Sequence, residues 1–114
     1  MSATAVMAYL VVANESEARV LGRTLVEERL AACVNILPRM TSLYWWKGVI
    51  EEAQEVVLIA KTADRLFSDL VRRVRELHSY TVPCVLSIPV SAGNQGYLDW
   101  LFGEIRDGTQ GVKT

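Results

Sequence analysis

The feature that most constrains this sequence is a pair of long β-type segments separated by only two residues. Ala32–Trp46 shows an alternating pattern, Lys47-Gly48 follows, and Val49–Thr62 returns toward an apolar run. Gly48 supplies the positive φ that a tight hairpin turn needs. Each arm has about fourteen residues, and at ~3.3 Å per residue it would be roughly 45 Å long. Since a globule of 114 residues is narrower than that, we expect the hairpin to bend or to reach another molecule.

Two further features of the hairpin indicate how it is used. Pro38 lacks a backbone donor, so the first arm is predicted to be an edge strand or to contain a bulge. Tyr44, Trp45 and Trp46 lie at the predicted tip. Aromatic side chains on a projecting hairpin favour an interface anchor over a core position. We therefore predict these three residues at a subunit interface.

The first strand and helix follow from apolar periodicity. Ala5–Ala13 is a short Val-rich run, typical of a strand that is buried on both faces. Asn14 and Glu17 have the spacing of an N-cap and its returning carboxylate. A helix is therefore predicted over residues 15–30, with Gly22 packed closely against the sheet.

In the second half of the chain, helices and a strand again alternate. Thr62 is expected to cap a second helix, whose apolar stripe runs over Leu66–Leu77. A fourth strand is predicted at Val85–Val90, and a short third helix follows around Tyr97–Ile105. The order β-α-β-β-α-β with a C-terminal helix predicts an α+β, ferredoxin-like sandwich. Because two helices cover only one face of such a sheet, self-association is expected to cover apolar surface on the other.

Composition and charge narrow the functional classes. The chain is 51% hydrophobic and 22% charged, with a net charge of −1, which is ordinary for a folded domain. Its longest apolar run has nine residues, where a membrane helix needs about 20, and no secretory signal pattern is evident. We therefore expect a cytoplasmic protein with no membrane or nucleic-acid partner. Residues 1–107 are predicted to form one domain, and 108–114 a flexible C-terminal tail.

Residues that carry chemistry are few. The serine-hydrolase, P-loop, zincin and dinucleotide-binding patterns do not occur, so we expect no enzyme. His78 is the single histidine, and Cys33 and Cys84 are the two cysteines. At the end of a predicted helix, His78 either serves as a cap or supplies imidazole to a soft-metal site together with a thiolate. Buried, inert cysteines are the structural alternative.

Five short segments of the sequence form a recognisable set: LAACVN (30–35), SLYWWKG (42–48), KT (61–62), HSYTVP (78–83) and YLDW (97–100). Together they resemble the CutA family of divalent-cation tolerance proteins, in that family's order and spacing, over about residues 5–105. The resemblance implies a homotrimer of ferredoxin-like subunits whose hairpins wrap onto neighbours, similar in architecture to trimeric PII signalling proteins. It also implies a role in tolerance to copper and other divalent cations, with no established catalytic activity.

One loop departs from the family pattern, which usually reads HPYExPE. Residues 78–84 read HSYTVPC, so Thr81 and Cys84 stand where the family has carboxylates. Threonine is a poor ligand for a hard cation, and a thiol shifts any preference toward soft metals. We therefore predict weak binding of copper or another divalent cation by His78, Cys33 and Cys84 at clefts between subunits, with no tightly bound cofactor.

Four residues match family positions that are polar or aromatic amid apolar strands: Asn35, Lys61, Tyr80 and Trp100. We expect them to line a ligand cleft between subunits. In the structural alternative, Asn35 satisfies a strand edge, Lys61 pairs with Glu51 or Glu55, and the two rings only pack. The alternative function is a PII-like sensor that binds an anionic metabolite near Lys61, or a protein-scaffolding trimer with no physiological metal.

Overall fold

The computed structural model describes residues 4–107 of the chain. Its elements are β1 (Ala5–Val12), α1 (Glu15–Glu27), β2 (Cys33–Trp46), β3 (Val49–Ala63), a 3₁₀ turn (Asp64–Leu66), α2 (Phe67–Leu77), β4 (Val85–Pro89) and α3 (Gln95–Glu104). The four strands form one antiparallel sheet in the order β2-β3-β1-β4. The predicted ferredoxin-like α+β plan is therefore confirmed. The predicted tail, 108–114, lies outside the described residues.

Asn14 caps the start of α1 as predicted, but the side chain of Glu17 has a different role from the predicted one. The Oδ1 atom of Asn14 accepts a hydrogen bond from the Glu17 amide at 2.8 Å, which confirms the N-cap. The Glu17 carboxylate does not act as the returning partner of that cap. It accepts hydrogen bonds from the Ser79 amide and hydroxyl at 2.8 and 2.9 Å. Glu17 thereby ties α1 to the loop after α2.

The helix ends at Glu27, three residues before the predicted end, because the chain reverses at Arg29. Arg29 has a φ of 58°, and its amide donates to the Val26 carbonyl at 3.0 Å, while the Leu30 amide donates to Leu25 at 2.9 Å. These two bonds are those of a Schellman motif. The buried side chains of Leu25 and Leu30 supply its apolar contact.

The core lies between the sheet and the two helices α1 and α2. Alternate positions of β1 and β3 point toward the helices and are fully buried: Ala8, Leu10, Val12, Leu58 and Ala60. A Cβ on Gly22 of α1 would lie 3.0 Å from the Val34 Cγ2 and 3.3 Å from the Leu58 Cδ1. The predicted close packing of Gly22 on the sheet is therefore confirmed.

The prediction that Thr62 caps the second helix is wrong. Thr62 lies inside β3, opposite Val6 of β1, and its buried Oγ1 has no hydrogen-bond partner among the described residues. The chain turns through the 3₁₀ segment instead, where the Asp64 amide donates to the Thr4 carbonyl at 2.8 Å. No helix within residues 4–107 is long and apolar enough to span a membrane.

The β2–β3 hairpin has a tight turn and a bulge. Lys47 and Gly48 both have positive φ, 50° and 83°, as a type I′ turn requires, although only the glycine was expected to. The register shifts between Leu37 and Met40, beside Pro38. Because β2 is also an edge strand, both alternatives predicted for Pro38 hold.

The part of the hairpin beyond the bulge, Met40–Trp46 with Val49–Glu55, is called here the distal arm. The described chain measures 48 × 30 × 25 Å and has a radius of gyration of 14.9 Å, whereas a compact domain of this size has about 13 Å. Six apolar residues of the distal arm are exposed: Leu43, Tyr44, Trp45, Trp46, Val49 and Ile50. The predicted role of the aromatic tip at a subunit interface stays a prediction.

Candidate functional site

The face of the sheet opposite α1 and α2, called here the open face, is only partly covered. α3 packs against the end of β3, where Ala63, Leu101 and Ile105 share a buried cluster. Away from α3, Leu86 is 59% exposed and Ile88 is 44% exposed. Further apolar side chains on this face are half-buried: Met7, Tyr9, Val11 and Ile59. An apolar surface of this kind is typical of an interaction site.

One group of predicted cleft residues gathers at the α3 end of the open face. The Lys61 Nζ lies 3.4 Å from the Tyr97 hydroxyl and 5.4 Å from the centroid of its ring. The rings of Tyr97 and Trp100 are 5.4 Å apart. Asn35 is exposed on the same face of the sheet. We call Lys61, Tyr97 and Trp100 the Lys61 cluster.

The Lys61 cluster corrects two details of the sequence analysis. Lys61 contacts Tyr97 and forms no ion pair with Glu51 or Glu55 among the described residues. Tyr97 was predicted as part of the apolar pattern of α3 and of the YLDW segment, but not as a cleft residue. Its YLDW segment is the signal that could have identified it, because it places two aromatic rings three positions apart on one helix.

Tyr80, the fourth predicted cleft residue, lies at the other end of the sheet with Glu55. The Tyr80 hydroxyl donates to the Glu55 Oε2 at 2.6 Å, and Glu55 is only 8% exposed. Burial of the phenol raises the pKa of Tyr80 above its usual range, and the hydrogen bond to the Glu55 carboxylate adds to the shift. Within one subunit, therefore, the four predicted residues do not share a cleft.

Glu55 is a candidate functional residue that sequence reasoning missed. It directly precedes three buried residues of β3, Val56–Leu58, and a carboxylate next to such a buried segment is unusual. That position was the available signal. The structure thus places the Glu55 carboxylate beside the loop 78–84, although the loop itself has no acidic residue.

His78 has both ring nitrogens engaged. Its Nε2 lies 2.7 Å from the Val11 carbonyl, and its Nδ1 accepts a hydrogen bond from the Tyr80 amide at 3.0 Å. This pattern assigns the proton of the neutral ring to Nε2. The side chain is fully buried, with a Glu17 carboxylate oxygen 3.6 Å from Nδ1. To bind a metal, His78 would have to give up one of these bonds.

The two thiols lie on opposite edges of the sheet. Cys33 pairs with Lys61 at the start of the edge strand β2, and the Cys84 carbonyl accepts from the Val11 amide beside the other edge strand, β4. Three strand spacings of ~4.8 Å separate those edges. Both cysteines are half-buried. Burial, and next the Glu55 carboxylate, raise the pKa of Cys84.

The predicted metal ligands His78, Cys33 and Cys84 are therefore not brought together within one subunit. Across residues 4–107, no group of three or more His, Cys, Asp or Glu side chains is placed to hold a metal ion. A metal site that uses these residues needs groups from more than one subunit, and such a site stays a prediction.

A groove of about 920 Å³ lies between the distal arm and the loop 78–84. It is lined by Val11, Ser42, Tyr44, Trp46, Glu51, Glu55, Ser79, Tyr80, Thr81, Val82 and Cys84. This lining contains two carboxylates, three aromatic rings and a thiol, and it includes no lysine or arginine. Its charge and ring content suit a positively charged ligand.

Comparisons with known proteins agree on one family. Residues 6–104 match the family model described as "CutA1 divalent ion tolerance protein". The chain is 50% identical over 92 residues to the divalent-cation tolerance protein CutA of Thermus thermophilus. This alignment covers 81% of this chain and 89% of the Thermus protein. The chain is 46% identical over 94 residues to protein CutA of Mus musculus, covering 82% of this chain and 53% of the mouse protein.

The three-dimensional comparison agrees with the sequence comparison. The crystal structure of CutA1 from Oryza sativa superposes with a TM-score of 0.90 at 37% identity, covering 92% of this chain and 96% of that one. The chain spans most of the Thermus protein but only about half the length of the mouse protein.

Proposed function

The chain belongs to the CutA1 family of divalent ion tolerance proteins, and from that premise we propose that it works as a homotrimer that weakly binds a soft metal ion at clefts between its subunits. Copper is the ion we expect first. In this proposal the protein acts in the cytoplasm, is not an enzyme and holds no tightly bound cofactor.

Two surfaces of the subunit support self-association. The open face exposes Leu86 and Ile88, and the distal arm exposes Trp45. Burying apolar area of this kind is the usual driving force for association. In a ring of three subunits, each subunit meets its neighbours through two different surfaces, which suits a molecule with one apolar face and one apolar arm.

The observation that carries the metal proposal is the position of the two thiols. Cys33 and Cys84 are half-buried at opposite edges of one sheet, too far apart to share an ion in one subunit. In a ring that sets one edge of a subunit against the opposite edge of the next, the two thiols come from neighbouring chains. Two thiolates form a soft site that suits Cu(I). His78 would then position the loop that carries Cys84.

Titration calorimetry of the reduced protein with Cu(I), in a buffer free of thiols, tests this proposal. We expect saturable binding of about one ion per subunit boundary. Cys33→Ser and Cys84→Ser should each weaken it at least about tenfold, because each removes a thiolate ligand. Met40→Leu is the matched control, since it removes a sulfur atom that is not among the proposed ligands. Unchanged affinity in both cysteine variants, in a confirmed trimer, would refute the site.

A second candidate function, small-molecule sensing, is favoured by the Lys61 cluster. Lys61 offers a cation beside two aromatic rings that are partly exposed, Tyr97 and Trp100, and such a group suits an anionic ligand with a flat ring. Thermal denaturation with separate sets of metabolites and metal ions distinguishes the candidates, because only a bound ligand raises the melting temperature. A scaffolding trimer predicts no shift with either set.

A further inference from the structure

We propose that Lys61 of one subunit forms an ion pair with Glu55 of the next, so that a second copy of this chain completes the charge balance of the cleft between subunits. This ion pair rests on the proposed function, because it belongs to the ring of three subunits described there. Two charges at opposite ends of the open face support it. Neither charge has a partner of opposite sign within residues 4–107.

Glu55 is the more shielded of the two charges. Its side chain is 8% exposed, and its one hydrogen-bond partner in the described chain is the neutral Tyr80 hydroxyl, bound to Oε2. By contrast, the shielded carboxylate of Glu28 pairs with Arg73 at 2.9 Å. A subunit boundary that covers Glu55 removes its remaining contact with water. Such a boundary is favourable only if the covering chain supplies a cation.

Lys61 is the cation at the other end of the same strand. It lies six positions beyond Glu55 on β3, so the two side chains lie on one face, about 20 Å apart at ~3.3 Å per residue. This distance prevents the two charges from meeting within one subunit. The Lys61 Nζ contacts only the neutral Tyr97 in the described chain, 3.4 Å from its hydroxyl and 5.4 Å from its ring centroid.

The proposed ring brings these two ends of the open face together. Each subunit of such a ring meets its neighbours through two different patches. Cys33 is the register partner of Lys61, and Cys84 lines the same groove as Glu55. A boundary that sets Cys33 against Cys84 of the next subunit therefore also brings Lys61 toward Glu55 of that subunit. The charges are complementary across this boundary, as the patches of a specific interface are.

The ion pair bears on the choice between the two candidate functions. A Lys61 side chain that pairs with Glu55 of the next subunit is not free to bind an anionic metabolite. The pair therefore favours the metal function over small-molecule sensing. Tyr97 would hold the lysine side chain in place for the neighbouring carboxylate, which lowers the entropy lost on association.

A double-mutant cycle on trimer dissociation tests the ion pair, with light scattering over a dilution series as the measurement. Lys61→Gln and Glu55→Gln should each raise the half-dissociation concentration at least about tenfold, because each leaves a charge unpaired at the boundary. The double variant should raise it no further than the stronger single variant. Sites about 20 Å apart in one chain normally have additive effects, so this coupling requires contact between chains.

Charge reversal gives a second test. Lys61→Glu should weaken the trimer more than Lys61→Gln, since it sets two carboxylates against each other, and Glu55→Gln in the same chain should relieve the difference. The matched control is the ion pair of Arg23 and Glu27, 2.9 Å apart on α1. Arg23→Gln, Glu27→Gln and their combination should leave the half-dissociation concentration within about twofold of the wild type.

Two outcomes would refute the ion pair but not the proposed trimer: a wild-type trimer with additive effects of Lys61→Gln and Glu55→Gln, or equal effects of Lys61→Glu and Lys61→Gln. A wild-type mass of one chain at every concentration would refute the trimer and the ion pair together. Because Lys61 is half-buried, its two variants keep the test valid if Glu55→Gln fails to fold.

Discussion

The two halves of the β2–β3 hairpin are both rich in apolar residues, yet they differ in what covers them. Before the bulge, Leu58 lies under α1 and is fully buried. Beyond the bulge, Leu43, Trp45 and Ile50 are 66%, 72% and 62% exposed. The difference shows that burial depends here on a covering element, and that the subunit supplies one for only half of the hairpin. One face of the half before the bulge is thus covered within the chain, although Leu37 at its end is 48% exposed, whereas the distal arm exposes apolar side chains of both strands.

Matched truncations in the two halves should have very different effects. Leu58→Ala is expected to lower the free energy of unfolding by about 3 kcal/mol, since it leaves a cavity in the core. Ile50→Ala, on the same side of the same strand, should cost less than about 0.5 kcal/mol in dilute protein. Urea denaturation measures both changes.

The two variants should also differ in how their stability depends on protein concentration. Ile50 is paired with Trp45 in the hairpin, and we propose that Trp45 lies at a subunit boundary. The effect of Ile50→Ala should therefore grow as the protein concentration rises. That of Leu58→Ala should remain large at every concentration. Equal losses for the two variants in dilute protein would contradict the distinction between a covered and an uncovered half.

Two helical glycines provide a smaller contrast. A Cβ at Gly22 meets Val34 and Leu58 at 3.0 and 3.3 Å, whereas one at Gly103 meets nothing within 4 Å. Gly22→Ala should therefore destabilise the protein by about 1 kcal/mol, because crowding exceeds the gain in helix propensity. Gly103→Ala should stabilise it by about 0.5–1 kcal/mol. The melting temperatures of the two variants test this, and a stabilised Gly22→Ala would show that α1 packs more loosely on the sheet.

The covered region was also the easier one to predict from sequence. The element order, the Asn14 cap and the packing of Gly22 all follow from local patterns, and the structure confirms them. The end of α1 could not be predicted from a local pattern, because Arg29 takes a left-handed conformation that usually favours glycine. Its guanidinium donates to the carbonyl and carboxylate of Glu104 at 2.9 and 3.0 Å. A contact 75 positions away along the chain is not visible in a local pattern.

The candidate sites were predictable as residue types but not as groupings. His78, Tyr80 and Cys84 were singled out from one loop, yet the partners that define their chemistry come from elsewhere. The Nε2 of His78 contacts Val11, and the hydroxyl of Tyr80 contacts Glu55. Both partners lie on strands that the fold brings to the loop, so only the tertiary structure reveals them. The same holds for the wide separation of Cys33 from Cys84.

The smallest predicted effect concerns the thiol at the groove. Since burial and, to a lesser extent, Glu55 raise the pKa of Cys84, less of it is thiolate at a given pH. In a Cys33→Ser background at pH 8, iodoacetamide should modify Cys84 at least about threefold more slowly than in the unfolded chain. The pH at half-maximal rate should lie higher in the folded protein, and Glu55→Gln should move it part of the way back. Mass spectrometry follows the reaction, and equal rates in the folded and unfolded protein would show that the groove does not shield Cys84.

We propose that other copies of this chain cover the surfaces that one subunit leaves exposed. Light scattering coupled to size-exclusion chromatography tests it most directly. We predict a wild-type mass of three times the 12.7 kDa of one chain, and a lower mass for the double variant Leu43→Ser, Trp45→Ser. Val20→Ser, which changes an exposed apolar residue of α1, should leave the trimer mass unchanged. A wild-type mass equal to that of one chain at every concentration would contradict the account.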